Sequence, residues 1–437
     1  MQSKRSQELF DRARAVTPGG IFDSQRKTEP AMIAFSRGAG SHAWDVDGNE
    51  YVDYHLAFGP LVLGHCHPEV MKAVRAQVEV SDIWNAGILE QEVQVAEKIA
   101  HHVPSAEKVR FAVSGSDGIF TAIRIAKGFT KRKKIVKFIG GYHGTNDNVL
   151  VDIAPAFGKS SGPHLEAEGV DERVTETTIT VPYNDEAALS RVFKENKGEI
   201  AAVLSEPVMH SAVGCIRPQE GFLEFLREIT QKNGSLLVFD EVITGFRHAI
   251  GGAQSLFKVV PDLTVFAKAL ANGFPIAVVC GRGDVMDKLR PVGNVMDLGT
   301  YVAHPVSLAA AKATLAVLET GKPYEQMTAA SESVQKGISA SIEELGIDAH
   351  VSGFRSIFVI YFTRHEIRRY SDLSHINMAA AKKFKVDLMS RGILTLPLPI
   401  KRMHVSAVHS KADVVKMIDT CHEVLQGLKA QQLVAKA

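Results

Sequence analysis

The sequence predicts an α/β chain built on a mostly parallel sheet covered by helices on both faces. Two observations carry this. From about residue 105, short and fully apolar runs alternate with helical stretches, the pattern of strands buried on both faces. Glycine and proline punctuate the chain at short intervals, with no repeat and no low-complexity tract. A length of 437 residues adds an expectation of two or three domains, at roughly 150 residues each.

The elements follow in order. MQSKRSQELFDRARAV reads as a charged amphipathic helix without the apolar core of a signal peptide. Strand-like segments cover 32–36, 41–45 and 51–54, the last two joined as a hairpin through Asp47-Gly48-Asn49. Helices are predicted over 68–80 and 89–102. Then come strand 109–113, helix 119–130, strand 134–139, strand 179–182, helix 186–195, strand 200–205 and helix 221–232. Strands 236–239, 263–267 and 276–280 close the alternation. Helices over 306–320, 324–345 and 378–391, with a strand at 354–361, read as a smaller α+β domain. The stretch 155–173, rich in Gly, Ser and charge, reads as a surface loop.

Composition excludes several classes. Hydrophobic residues make up 45% and charged residues 23%, as in soluble globular proteins. Fifty Lys and Arg face 49 Asp and Glu, a formal charge of +1, which argues against binding nucleic acid through bulk charge. Cys66, Cys215, Cys280 and Cys421 are scattered with no C-x-x-C pair, so neither a metal cluster nor a disulfide framework is expected. No run approaches the ~20 apolar residues of a membrane span. The expectation is a cytoplasmic enzyme in a reducing compartment. No G-x-G-x-x-G follows the first strand of the alternating region and no G-x-x-x-x-G-K-[ST] occurs, which argues against a nucleotide- or nicotinamide-binding enzyme.

In an open parallel sheet, ligands bind beyond the carboxyl ends of the strands. There the sequence places Ser114-Gly115-Ser116, Tyr142-His143, Asp240-Glu241 and Lys268. Each has a plain structural reading. Asp240 would serve as a helix cap, Lys268 would face solvent, and Ser114-Gly115-Ser116 would be an N-cap. Together they describe a pocket for pyridoxal phosphate: a phosphate cup at a helix N-terminus, an amine in apolar surroundings able to form a Schiff base, a carboxylate for the pyridine nitrogen and an aromatic ring to stack.

The ordered segments Ala43-Trp44-Asp45-Val46-Asp47-Gly48-Asn49, Leu63-Gly64-His65-Cys66-His67-Pro68, Gly141-Tyr142-His143-Gly144, Glu206-Pro207-Val208, Phe239 to Arg247, Lys268 and Gly299-Thr300-Tyr301 resemble the class III, fold-type I aminotransferases, in the glutamate-1-semialdehyde aminomutase-like branch. The resemblance covers nearly the whole chain. It implies a large cofactor domain with a mostly parallel seven-stranded sheet over 61–315 and a small domain formed by 1–60 and 316–437. It implies Lys268 as Schiff-base lysine and proton shuttle, Asp240 on the pyridine nitrogen, Val242 and Tyr142 on the two ring faces, and Gly115 and Ser116 on the phosphate. Thr300 would reach the phosphate of the neighbouring subunit in a homodimer with shared sites, and Glu206 would stand behind the cofactor.

This sequence departs from the family pattern in places. The phosphate motif reads Ser114-Gly115-Ser116-Asp117-Gly118 where Ser-Gly-Thr/Ser-Glu-Ala is usual, Asp117 having a shorter stem and Gly118 adding backbone freedom. The lysine segment, 267–273, is poorer in glycine than its relatives. His304 follows the threonine segment where Asn is common, and a structural role is expected for it. Lys401 stands where the aminomutase has a glutamate facing the active site; read against a merely solvated lysine, this favours an aminotransferase passing an amino group from an amino donor to a keto-acid acceptor. An aminomutase or an amino-acid racemase is the alternative. Arg26 is the candidate for a substrate carboxylate, against a plain surface arginine. Phe58 and Trp84 are candidates for the substrate entrance, against core packing.

Overall fold

The computed structural model describes residues 3–84, 86–156 and 163–434. It divides into two compact units. The larger holds Pro68–Tyr324 with Ile367–Ser374; the smaller holds Met1–His67, Glu325–Glu366 and His375–Ala437. The limits at His67 and Tyr324 lie beyond the expected 60 and 315, and a short piece of the C-terminal part belongs to the larger unit. That piece is held there by the Tyr370 hydroxyl donating to the Pro155 carbonyl at 2.8 Å, and by Asn184 donating to the Arg368 carbonyl at 2.8 Å.

The larger unit is organised by a seven-stranded sheet. Its strands in chain order are β1 (Lys108–Ala112), β2 (Lys134–Phe138), β3 (Thr178–Val181), β4 (Ile200–Ser205), β5 (Leu236–Asp240), β6 (Leu263–Phe266) and β7 (Ala277–Gly281). The spatial order is β1-β7-β6-β5-β4-β2-β3. β2 to β6 pair in parallel, while β7 runs antiparallel to both β6 and β1. The apolar runs give each strand two buried faces. One face, with Ile135, Leu204, Val238 and Val265, packs under Ile119, Ile123 and Ala126 of helix Gly115–Thr130. On the other, Phe138 meets Phe222 of helix Phe222–Lys232 edge-on at 5.7 Å. Burial of this kind stabilises at roughly 25 cal/mol per Å² of apolar surface.

Helix Gly115–Thr130 starts four residues earlier than predicted. Apolar periodicity begins only at Ile119, but the cap sets the first turn: the Ser114 hydroxyl accepts from the Asp117 amide at 3.3 Å, and the Asp117 carboxylate accepts from the Val113 amide at 3.1 Å. Asp117 thus closes a reciprocal cap. Gly118 is buried inside the helix and is not a point of backbone freedom. A Cβ there would lie 2.7 Å from Val265 Cγ1, so its missing side chain lets the helix settle on the sheet.

In the smaller unit, the hairpin strands are His42–Asp45 and Glu50–Asp53, with the Asp45 carboxylate accepting from the amides of Asp47 and Asn49 across the turn. Their neighbour is Phe35–Ala39, so 32–34, predicted as strand, lie outside it. The expected single strand at 354–361 is two antiparallel strands, His350–Phe354 and Ile357–Tyr361, turned at Arg355 with φ +50°. Helix Lys411–Ala430 has no counterpart among the predicted elements, although Val414, Met417, Cys421, Val424 and Leu428 recur at helical spacing and Ser410 caps it with Asp413.

Candidate active site

β2, β4, β5 and β6 end on one edge of the sheet, and β1 ends there too. The register places Ser205 opposite Phe239 and Asp240 opposite Val265, while Ala277 faces Ala112 and Val278 faces Phe266. Residues 113–116, 139–143, 206–211, 240–242 and 267–268 therefore leave the sheet along one rim. A small apolar cluster of Ala112, Ala267, Ala277 and Val242 joins three of these exits. It couples the glycine turn, the lysine and the carboxylate strand through side chains too small to hold them apart.

Asp240 is buried, 5% exposed. Its Oδ1 accepts from the Val242 amide at 3.0 Å, and Oδ2 pairs with His143 Nδ1 at 2.7 Å. That is the geometry of an oriented ionic acceptor, rather than of a helix cap. His143, noted in the sequence only as part of its motif, is the partner that fixes Asp240; a histidine beside a predicted strand end was its sole signal. Val242 lies against Gly115, where a Cβ would meet its methyl groups at 2.9 and 3.0 Å. Gly144, at φ +101°, passes so close to Ser116 that a Cβ would lie 2.5 Å from its Oγ. These contacts need glycine, and they bring the Tyr142 segment against the turn at the helix N-terminus.

Lys268 begins the 3₁₀ turn Lys268–Ala271 directly after β6. It is half-buried between the buried Ala267 and Ala269. Its φ is +44°, a left-handed conformation unusual for a side-chain-bearing residue. Asn272, also left-handed at φ +46°, closes the turn where the sequence has fewer glycines, a conformation asparagine tolerates.

Two further carboxylates were harder to read. Glu206 accepts from the amides of His210 and Ser211 at 3.0 and 3.1 Å, and from the Ser211 hydroxyl. Burial pushes its carboxyl upward, opposed by His143 and reinforced by the Asp240 charge. Glu241, fully buried, accepts from the amides of Ala253 and Gln254, the Thr244 hydroxyl and the Gln254 side chain. Burial raises its carboxyl also, against those donors. Gly252, at φ +75°, admits it: a Cβ would stand 2.6 Å from Glu241 Oε1. Glu241 thereby fastens 244–254 beneath the rim.

Thr300 is exposed in a turn, between the exposed Leu298 and Tyr301. His304 caps helix Pro305–Leu318, its Nδ1 accepting from the Val306 amide at 3.3 Å, the structural role expected of it. Trp84, 60% exposed, is not core packing; it lines a cleft of about 230 Å³ with Arg110, Asp117 and Gly299. In the smaller unit, Arg26 is exposed. There Phe58 supports Lys401, whose Nζ lies 4.9 Å from the ring centroid and donates to Gln25 Oε1 at 3.1 Å. Lys401 is thus a docked side chain, not a merely solvated one. Among the described residues no group of three or more His, Cys, Asp or Glu is arranged to hold a metal ion, and no helix is long and apolar enough to cross a membrane.

A one-sided rim offering a buried carboxylate, a lysine and a glycine turn at a helix N-terminus defines a cofactor-dependent α/β enzyme. The family model for class-III aminotransferases matches residues 24–425, and the chain belongs to that family, whose cofactor is pyridoxal phosphate. A glutamate-1-semialdehyde 2,1-aminomutase from Methanothermobacter thermautotrophicus is 38% identical over 425 residues, 97% of this chain and 100% of the relative. Among solved structures, an omega-transaminase from Sphaerobacter thermophilus superposes with a TM-score of 0.92 at 29% identity, covering 98% of this chain and 100% of its own. A transaminase with PLP bound gives 0.89 at 28% identity, covering 99% of both chains. The α/β fold is that of the fold-type I transaminases, with its large mostly parallel sheet.

The rim fits the cofactor. Asp240 is oriented by His143 and the Val242 amide. Gly115 lets Val242 pack directly on the helix start, where a Cβ would meet its methyl groups, and helix N-terminal amides suit a phosphate.

Proposed function

We propose that this enzyme is an aminomutase that shifts an amino group from carbon 2 to carbon 1 of a small substrate of the glutamate-1-semialdehyde type. The observation that carries this reading is the 38% identity to an enzyme of that name along essentially the full length of both chains. It replaces the aminotransferase expectation drawn from Lys401. Amino transfer to a separate keto acid is kept as the second reading, because Lys401 occupies its position as an ordered cation and a transaminase structure superposes closely.

Bound pyridoxal phosphate supplies an electron sink for charge developing at the substrate carbon. In this reading the Lys268 amine would hold the cofactor through its aldehyde carbon; released when the substrate amine takes its place, it would take the proton off the amino-bearing carbon and return it at the end of the shift. Asp240, oriented by His143, would hold the proton on the pyridine nitrogen. Gly115 and Ser116 bind the phosphate, and Val242 and Tyr142 enclose the ring. Glu206 stands behind Tyr142. Arg26 takes the substrate carboxylate, with Phe58 and Trp84 at the entrance. The working form is a homodimer in which Thr300 serves the neighbour's phosphate; exposed Leu298, Tyr301 and Trp84 support a partner surface. The compartment is cytoplasmic, as the scattered free cysteines suggest.

Incubating the pure protein with glutamate-1-semialdehyde and no amino acceptor should give the isomer. Turnover only when a keto acid is added would select the second reading. Lys268→Ala should abolish either reaction along with the visible absorbance of the resting enzyme, and an active Lys268→Ala protein would refute the site. Arg26→Ala should raise KM for an acidic substrate with kcat little changed; an unaltered KM removes Arg26 from the site.

A further inference from the structure

We propose that Ser211 is the positioning residue for Tyr142, and that Glu206 acts on the cofactor pocket through it. The proposal rests on the reading that Tyr142 stacks on the pyridoxal phosphate ring. Beyond β2 the chain runs through Gly140, at φ +88°, and Gly141 before reaching Tyr142, so its own conformational preferences fix little. The Tyr142 amide donates to Ser211 Oγ at 2.9 Å. A serine hydroxyl has one proton, and that of Ser211 goes to Glu206 Oε1. The hydroxyl's lone pairs are thereby turned toward Tyr142. Glu206 Oε2 meanwhile accepts from the His210 and Ser211 amides and winds 206–211 into a tight turn. The Tyr183 hydroxyl braces that turn by donating to the Pro207 carbonyl at 2.9 Å. Ser211 and Glu206 are 7% and 3% exposed, so water does not compete.

The arrangement is a two-point mount. Tyr142 is fixed through Ser211 to the end of β4, and His143, the next residue, is fixed to Asp240 at the end of β5. Moving the amide of residue 142 moves the imidazole of residue 143. Ser211 therefore coordinates the stacking ring with the carboxylate that holds the pyridine nitrogen. Because Glu206 Oε1 takes the hydroxyl proton, the serine is left an acceptor toward Tyr142.

The test compares wild-type protein with Ser211→Ala, Ser211→Thr and Glu206→Gln. Each is stripped of cofactor and titrated with pyridoxal phosphate, and the visible circular dichroism of the bound cofactor is recorded. Ser211→Ala should bind about tenfold more weakly, the effect of one buried hydrogen bond, with a diminished dichroic band; Ser211→Thr should restore both. Ser211→Ala with wild-type affinity and band overturns the proposal, as does a loss that threonine fails to restore. Should Ser211→Ala not fold, Glu206→Gln decides: the same weakening supports the mount and wild-type behaviour overturns it. Wild-type protein that takes up no pyridoxal phosphate would instead defeat the cofactor reading itself.

Discussion

Glu241 in the larger unit and Lys385 in the smaller are buried in opposite ways. At the rim of the larger unit, Glu241 is fully enclosed, and four donors converge on it. In the smaller unit, Lys385 of helix Met378–Ser390 is 1% exposed and its Nζ has no hydrogen-bond partner among the described residues. Burial pushes its amine down to about 7, against a slight opposing effect of the Cys421 thiol. Cys421 is buried as well, and burial drives that thiol upward. A carboxylate surrounded by donors makes a fixture of its segment, whereas an unpartnered buried amine is pushed toward its neutral form and stabilises nothing.

Four measurements sharpen or break this contrast. The largest effect is expected from Glu241→Leu, which strands the Ala253 and Gln254 amides and should cost about 4 kcal/mol in denaturant unfolding; a cost under ~1 kcal/mol would show that the donors are not needed. Lys385→Met should act in the opposite sense and stabilise by about 2 kcal/mol at neutral pH, measured in the same way. The pH dependence supplies a third measurement. The unfolded lysine titrates near ~10.4 and the folded one about 7, so between those values the unfolded chain holds the extra proton. This residue's contribution to stability should rise from pH 7 toward 10 and be lowest below 7. Lys385→Met should remove that slope, and a slope equal to wild type would mean that the amine is hydrated or paired. Smallest is Gly118→Ala, where helix propensity gains under ~1 kcal/mol but the Cβ meets Val265 at 2.7 Å. A net loss of about 1 kcal/mol is expected, and a gain would show that the helix can lift from the sheet.

Much of the architecture was legible because two-sided apolar runs admit few arrangements. Strand 200–205 and helix 186–195 stand where their patterns put them. The antiparallel direction of β7 was not readable, since a buried strand carries no mark of its polarity. Helix 115–130 was truncated because its first turn is polar and small, defined by a cap rather than by periodicity. At the rim, Asp240 and Lys268 were visible as polar residues closing apolar strands. His143 was visible there too, but its role was not, and Ser211 was missed altogether, because their meaning lies in partners 97 and 69 residues away along the chain. Gly118 was misread for a related reason: the methyl that excludes a side chain belongs to Val265.

The left-handed backbone at Lys268 separates what the fold wants from what the chemistry wants. At φ +44° a residue with any Cβ carries a conformational cost of roughly 1 kcal/mol that glycine escapes. Lys268→Gly and Lys268→Ala would be equally inert, yet the glycine protein should be the more stable of the two. Measured against each other, the inert pair would isolate the strain that the lysine's backbone imposes on the protein.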